Sequence, residues 1–480
     1  MGILSDYIVS AMAKVLDYVD KSKTGWINVK SFGATGRGQT DGTDDTEAIR
    51  KAIESASDGD IIYFPKGTYK ITEQIVIDKK LTFRGDTISN INNTDISTSK
   101  TESAIYYGGE ANTTMFTKTS TMVSFENMSF YGKSFTVTET GNVAVSGTPA
   151  KYYKETVLKE GISCIQVTSG FVNIRGCTFY GFSDYALYLP QHAKVVNSSF
   201  FNCYKGIECS NYDSLIEHCW FCKCAIGIYS SVQNNIFVYN TWFDQLSQHA
   251  IMCEAQTMLY MESCLVDMCD YSALYFPKNS LNQSHINARL SRCGMYYAGT
   301  DSANIENAER YKACAIYSHM ITNSRLEVTC DRRAIKTGYG VCPSVLFESD
   351  GGFKNCIFNT PYSADNTETF FSKQAGKNNV IIMNGNTINK QYNAWKYDVP
   401  GVAIRSNAPN TFQAPNAGDL YIDSTKKNLY YAKSAKAVDW DLLTSHGDGN
   451  TITETDGVLS VSADLLARIE ALESAISTTT

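Results

Sequence analysis

The sequence predicts an all-β protein, a right-handed parallel β-helix in which each repeat forms one turn of a solenoid. Three observations carry this expectation. A short phrase recurs through the middle of the chain: IRGCTF ending at Phe179, VVNSSF at Phe200, IEHCWF at Phe221, VYNTWF at Phe243 and MESCLV at Val266, at intervals of 21, 21, 22 and 23 residues. A second phrase keeps step behind it, from Ala186, Gly206, Gly227, Ala250 and Ala273, and again from Ala315. Fixed periods in this range mark units that bury their apolar face only against their neighbours. Third, a bend position inside the first phrase holds Gly176, Asn197, His218, Asn240 and Ser263. Gly and Asn tolerate the left-handed backbone that a sharp corner between two short strands requires. Cys177, Ser198, Cys219, Thr241 and Cys264 after the bend, and the aromatic position two residues on, fall in phase to point inward. Leucines at fixed offsets with a helical segment, the mark of a leucine-rich repeat, are missing.

The elements follow in order. Residues Ile3 to Val19 carry apolar side chains at helical spacing, so residues 1–25 are read as an amphipathic N-terminal helix serving attachment or a trimer neck. Residues 26–72 form the cap. Asp44 or Asp45 can cap a helix bearing Ala48, Ile49, Ala52 and Ile53, and Asp58-Gly59 turns the chain into a strand from Ile61 to Phe64. Such a helix covers the open end of the solenoid, as a terminal repeat must. Residues 73–395 are read as the β-helix, 396–445 as a small β-hairpin module, and 446–480 as linker and coiled coil. The coiled-coil reading rests on Val458, Val461, Leu465, Ile469, Leu472 and Ile476, a seam too short to hold alone, which makes sense where chains already lie side by side.

The run FGATGRGQTDGTDDTEAI from Phe32, with FPKGTY from Phe64, resembles the N-terminal signature of the pectate-lyase-like β-helix superfamily of phage tailspikes and related polysaccharide-degrading proteins. The stretch from Ala417 to Leu443 looks like a hairpin module common in phage tail-fibre proteins. The resemblance implies a homotrimer on a virion tail or baseplate that engages a bacterial surface polysaccharide (capsule, O-antigen or teichoic acid). It assigns no catalytic residue, because hydrolases, lyases and binders share the fold.

Composition narrows the classes. The net charge of −7 and the lack of a basic run argue against nucleic acid as a partner. No apolar stretch reaches the ~18 residues of a membrane span, so no membrane insertion is expected, and no standard secretory signal opens the chain. The 15 cysteines are odd in number and mostly in inward phase, which suits buried reduced thiols made in a cytosol. His218 with Cys219, Cys222 and Cys224 invites a zinc reading, but bend and core positions face different ways; no metal or cofactor is expected. The Gly33–Gly42 stretch lacks the lysine of a phosphate loop.

Successive coils lie about 4.8 Å apart, so outward positions of equal phase form ladders. The position after the inward aromatic runs Tyr180, Phe201, Cys222, Asp244, Asp267, becoming acidic on two adjacent coils, with Asp270 three residues further. Two such carboxylates, ~5–6 Å apart, suit a retaining glycosidase, and their repulsion raises one pKa. A neighbouring ladder runs Arg175, Val196, Glu217, Tyr239, Glu262; its glutamates are two coils, ~10 Å, apart, the spacing of an inverting enzyme. Trp220 and Trp242 on adjacent coils offer an apolar platform for a sugar. A third ladder, Tyr188, Glu208, Tyr229, Met252, Tyr275, Tyr317, sets tyrosines around a carboxylate and equally suits a subunit contact. Asp244, Asp267 and Asp270 are therefore the first catalytic candidates, Glu217 and Glu262 the alternates. Trp220, Trp242, Tyr239, Glu208 and Tyr229 are the candidate sugar contacts. The expected chemistry is endo-glycosidic hydrolysis. A lyase using Arg292, Arg325, Arg332 or Arg333, and a non-catalytic spike, are the alternatives.

Overall fold

The computed structural model describes most of residues 25–360 and short strands between 380 and 461; among those outside the described residues are 1–24, 88–101, 152–160, 295–310, 332–344, 361–379 and 462–480. The expected helix from Ile3 to Val19 therefore lies outside the described residues. From Trp26 to Met383, 31 strands pair in parallel in one continuous hydrogen-bonded system among the described residues, and Glu139–Val145 and Thr148–Lys151 form a separate antiparallel pair. Each strand finds its partner about one coil further along, as Ser214–Glu217 pairs with Asn234–Tyr239 and Trp220–Cys222 with Trp242–Leu246. The result is the parallel β-helix that the repeats predict.

Each coil has three faces. The first is built by strands such as Ala193–Val196 and Ser214–Glu217, the second by Ser199–Phe201 and Trp220–Cys222, the third by Lys205–Cys209 and Ile226–Ser230. The bend between the first and second faces is left-handed at Asn127, Gly176, Asn197, His218, Asn240 and Ser263, with φ between 48° and 60°. A second left-handed row, not read from the sequence, turns the second face toward the third: Gly181, Asn202, Lys223, Gln245, Met268 and Arg292.

The core sets the pitch. Phe130, Phe179, Phe200, Phe221 and Phe243 are fully buried and stack ring on ring, with centroids 5.1, 5.0, 4.6 and 4.9 Å apart. Each such pair adds about 0.5–1.5 kcal/mol beyond its burial. Gly206 and Gly227 open the third-face strands where these rings need room: a Cβ on Gly227 would sit 2.8 Å from the Phe243 ring and 2.7 Å from the Ala250 carbonyl. Beside the rings, Ser198 and Thr241 hydroxyls accept the backbone N–H of Cys177 and Cys219 on the preceding coil (3.1 and 3.3 Å), so the bend's polar groups are satisfied inside an apolar column. All 14 described cysteines are buried.

The cap helix Thr46–Ser55 buries Ile49, Ala52 and Ile53 against the first coils. Its carboxylates divide the work: Asp44 accepts the Thr46 N–H, whereas Asp45 reaches back to the backbone N–H groups of Thr35 and Gly36. The Lys79 ammonium donates to the carbonyls of Ile53, Glu54 and Ala56 and so closes the helix's C-terminal end. Strands Trp26–Asn28 and Ile61–Phe64 already pair in parallel, so the cap segment also supplies the first coil.

Beyond the solenoid, strands Val402–Arg405, Leu420–Asp423, Asn428–Ala432 and Trp440–Thr444 form a small sheet of their own. The linker and the start of the expected coiled coil differ from the sequence reading. Ile452–Thr455 and Val458–Val461 are antiparallel strands, so Val458 and Val461 belong to a hairpin. The β-prone residues flank Asp456-Gly457, the pair that two-residue hairpins favour, and this local preference outweighs a helical seam of few turns. Leu465 to Ile476 lie outside the described residues.

Candidate functional site

The ladders run as the repeat phase requires. On the second face Cys222, Asp244 and Asp267 are in-register neighbours, followed by Ser291. Two positions earlier on the same strands, and so on the same outward side, run Trp220, Trp242, Leu265 and Arg289. The backbone thus brings one indole pair and one aspartate pair onto a single face.

Asp244 is half-buried. Burial pushes its carboxyl up to about 6, the charge of Asp267 adds to the rise, and Arg292 and Lys223 oppose it. The Cys222 thiol, itself pushed up to about 12 by burial, donates to Asp244 Oδ2 at 3.9 Å. Asp267, one coil on, is held differently. The Arg292 guanidinium grips it as a fork, Nε donating to Oδ1 at 2.8 Å and Nη2 to Oδ2. Side-chain exposures of 21% and 23% put this pair between a solvated surface bridge and a core one. A carboxylate offers about four acceptor directions, so a fork that uses two leaves others free. The two aspartates are equal in sequence phase and unequal in surroundings: one is partly desolvated, the other ion-paired.

Asp270 does not join them. The left-handed bend at Met268 (φ 65°) separates it from Asp267 and carries it toward the third face. It is 5% exposed, its Oδ1 has no hydrogen-bond partner among the described residues, and burial alone pushes its carboxyl up to about 8. Sequence spacing placed three aspartates together; the second row of bends divides them.

The indole platform also needs correction. Trp220 and Trp242 pack against each other, 5.6 Å apart at 21°, and Trp220 sets its edge against Phe201 with its Nε1 buried and without a partner among the described residues. Mainly Trp242, 45% exposed, is left to meet a ligand. Glu217, Tyr239 and Glu262 are in register on the first face, as expected. Their partners are surface groups of that face: Glu217 lies 3.5 Å from His218, and Glu262 lies 3.3 Å from His285 and accepts from Asn287 at 2.7 Å. On the third face Glu208 is held by Lys205 at 2.7 Å, and that ammonium sits 4.7 Å over the Tyr229 ring, a closed network that stitches neighbouring coils.

Arg292, Lys223 and Cys222 complete the surroundings of the aspartates. Cys222 belongs to the ladder as counted from the sequence, whereas Lys223 and Arg292 follow it by one residue on their own coils, at bend positions that carry no turn signal. Among the described residues no cluster of His, Cys, Asp and Glu is arranged to hold a metal ion.

The family described as rhamnogalacturonase A/epimerase, pectate lyase-like, matches residues 26–270. The chain belongs to that family. The match takes in the cap, the Phe stack and the Asp244–Asp267 step. A probable glucan endo-1,3-beta-glucosidase of Arthroderma benhamiae is 38% identical over 69 residues, 14% of this chain and 8% of that protein. Among solved structures, ORF18 of Geobacillus virus E2 is similar over 94% of this chain and 81% of its own, at 16% identity and a TM-score of 0.44. The family 28 exopolygalacturonase of Yersinia enterocolitica is similar over 78% and 77%, at 13% identity and 0.40. Tailspike protein 3 of bacteriophage CBA120 is similar over 90% and 70%, at 13% identity and 0.38.

Proposed function

We propose that this pectate-lyase-like chain is a depolymerase that hydrolyses a glycosidic bond of a polysaccharide at Asp244 and Asp267. The observation that carries the reading is the in-register pair on adjacent coils, with one carboxyl raised to about 6 and the other in an arginine fork. Asp244, protonated, gives its proton to the glycosidic oxygen. Asp267 attacks the anomeric carbon, the glycosidic C–O bond breaks, and a glycosyl ester forms on Asp267. Water, deprotonated by the Asp244 carboxylate, then cleaves the ester and restores both groups. The adjacent-coil spacing of ~4.8 Å matches two carboxyls with no water between them, so the product retains its anomeric configuration. Trp242 meets the sugar beside the pair.

The lyase alternative finds less support. Arg292 is engaged by Asp267 and Arg325 by Glu327, while Arg332 and Arg333 lie outside the described residues. The tailspike-like signature from Phe32 and the tail-fibre-like stretch from Ala417 support a setting on a phage tail, as a homotrimer acting on a bacterial capsule, O-antigen or teichoic acid.

The test is release of reducing ends from purified bacterial surface polysaccharides by wild type and Asp267→Asn. Release that falls at least about a hundredfold in a folded variant supports the reading. Unchanged release removes Asp267 from the chemistry. Products that absorb in the ultraviolet as unsaturated sugars make the protein a lyase.

A further inference from the structure

The second row of bends ends at Arg292. A left-handed backbone suits Gly and Asn, and the row begins with Gly181 and Asn202. Arg292, at φ 52°, shares this conformation with the long side chains of Lys223, Gln245 and Met268, and what sets it apart is where its side chain reaches. Its guanidinium reaches one coil back to fork both oxygens of Asp267. We propose that Arg292 is a positioning residue: its fork aims Asp267 while its charge acts on both carboxylates, so that two aspartates of equal sequence phase take two different roles. The inference rests on the catalytic reading above.

The geometry supports each half. A fork fixes the carboxylate plane as a single contact does not, and only a planar guanidinium can make it. Asp267 is held by charge-assisted hydrogen bonds, whereas among the described residues Asp244 takes only the weak thiol donor of Cys222 at 3.9 Å. The charged and titratable neighbours of Asp244 are Asp267, Arg292, Lys223 and Cys222, and Arg292 acts on it at a distance to lower its proton affinity.

Arg292→Asn is the natural test, because Asn fits the bend. In the full chain, with aspartate carboxyls labelled with ¹³C, the Asp244 titration moves upward from about 6 and melting stays within a few degrees of wild type. On the polymer that wild type cleaves, kcat falls roughly 10–100-fold with little change in KM, and the alkaline limb of the pH profile moves upward with the titration. Arg292→Lys keeps the charge without the fork: its alkaline limb stays near wild type while kcat remains low. If Arg292→Asn leaves the Asp244 titration and the pH profile unmoved, or Arg292→Lys matches wild type in rate, the proposal falls. If wild type cleaves nothing, or Asp244→Asn and Asp267→Asn cleave normally, the catalytic reading fails instead. The titration alone then decides whether Arg292 orders the pair: moved, it does; unmoved, it does not.

Discussion

Glu217 and Glu262 on the first face, and Asp244 and Asp267 on the second, come from the same ladder rule and end in different surroundings. The glutamates are two coils apart with Tyr239 between them, and each leans on an imidazole of its own face. The aspartates are on adjacent coils, one partly desolvated and one forked by an arginine from the next coil. Phase alone makes carboxylates neighbours. In the proposed mechanism, register on adjacent coils and an arginine fork on one of the two set an acid beside a nucleophile.

The comparison breaks most sharply under substitution. Asp244→Asn or Asp267→Asn is expected to lower kcat for polymer cleavage by about 10²–10⁴-fold, and Glu217→Gln or Glu262→Gln by less than about threefold. Reducing-end assays on melt-checked variants measure both, and the reverse pattern moves the site to the first face. Asp244 must carry its proton to act, so cleavage should fall as pH rises through about 6. A profile flat across that range removes Asp244 as the acid.

A stability prediction sharpens the separation of Asp270 from the pair. Its folded value of about 8 lies above the usual 3.8, so the folded state holds a proton that the unfolded chain releases. Stability is then full below 3.8 and is lost as pH rises toward about 8. Asp270→Asn removes that loss, offset by about 1–3 kcal/mol for the unpaired amide it buries. A net gain is expected at mildly alkaline pH, where that loss exceeds the offset, and none in acid, read from denaturant melts at both. Equal melts at the two ends of the range would show that burial does not govern this carboxyl.

Two smaller effects probe the scaffold that both ladders share. Gly227→Ala should cost about 1–3 kcal/mol, because the new methyl meets the Phe243 ring and a fixed carbonyl. His218→Gly relieves a left-handed bend at φ 51° and should change stability by no more than about 1 kcal/mol while cleavage is kept. Loss of cleavage there, with the fold intact, would draw the first row of bends into the site.

Much of this was legible because a solenoid repeats its own constraints. The Phe column, the inward Cys/Ser/Thr position and the first bend row each recur at the coil period, and the ladders through Asp244–Asp267 and Glu217–Glu262 follow from counting. Asp270 was misgrouped because the second row of bends is chemically mixed: Lys223, Gln245, Met268 and Arg292 carry no common turn signal. The indoles were read as a shared platform because phase gives side and spacing but not ring orientation. The start of the C-terminal seam was read as a helix because its apolar spacing suits a short hairpin as well.

The sequence by itself determined the all-β class, the coil period, the inward column and the membership of each ladder, because alternation and period are local properties that every repeat restates. Only the tertiary structure decided which carboxylate is desolvated, which one an arginine reaches, and which one a bend removes. Burial, guanidinium reach and corner geometry depend on residues from neighbouring coils, and no single repeat contains them.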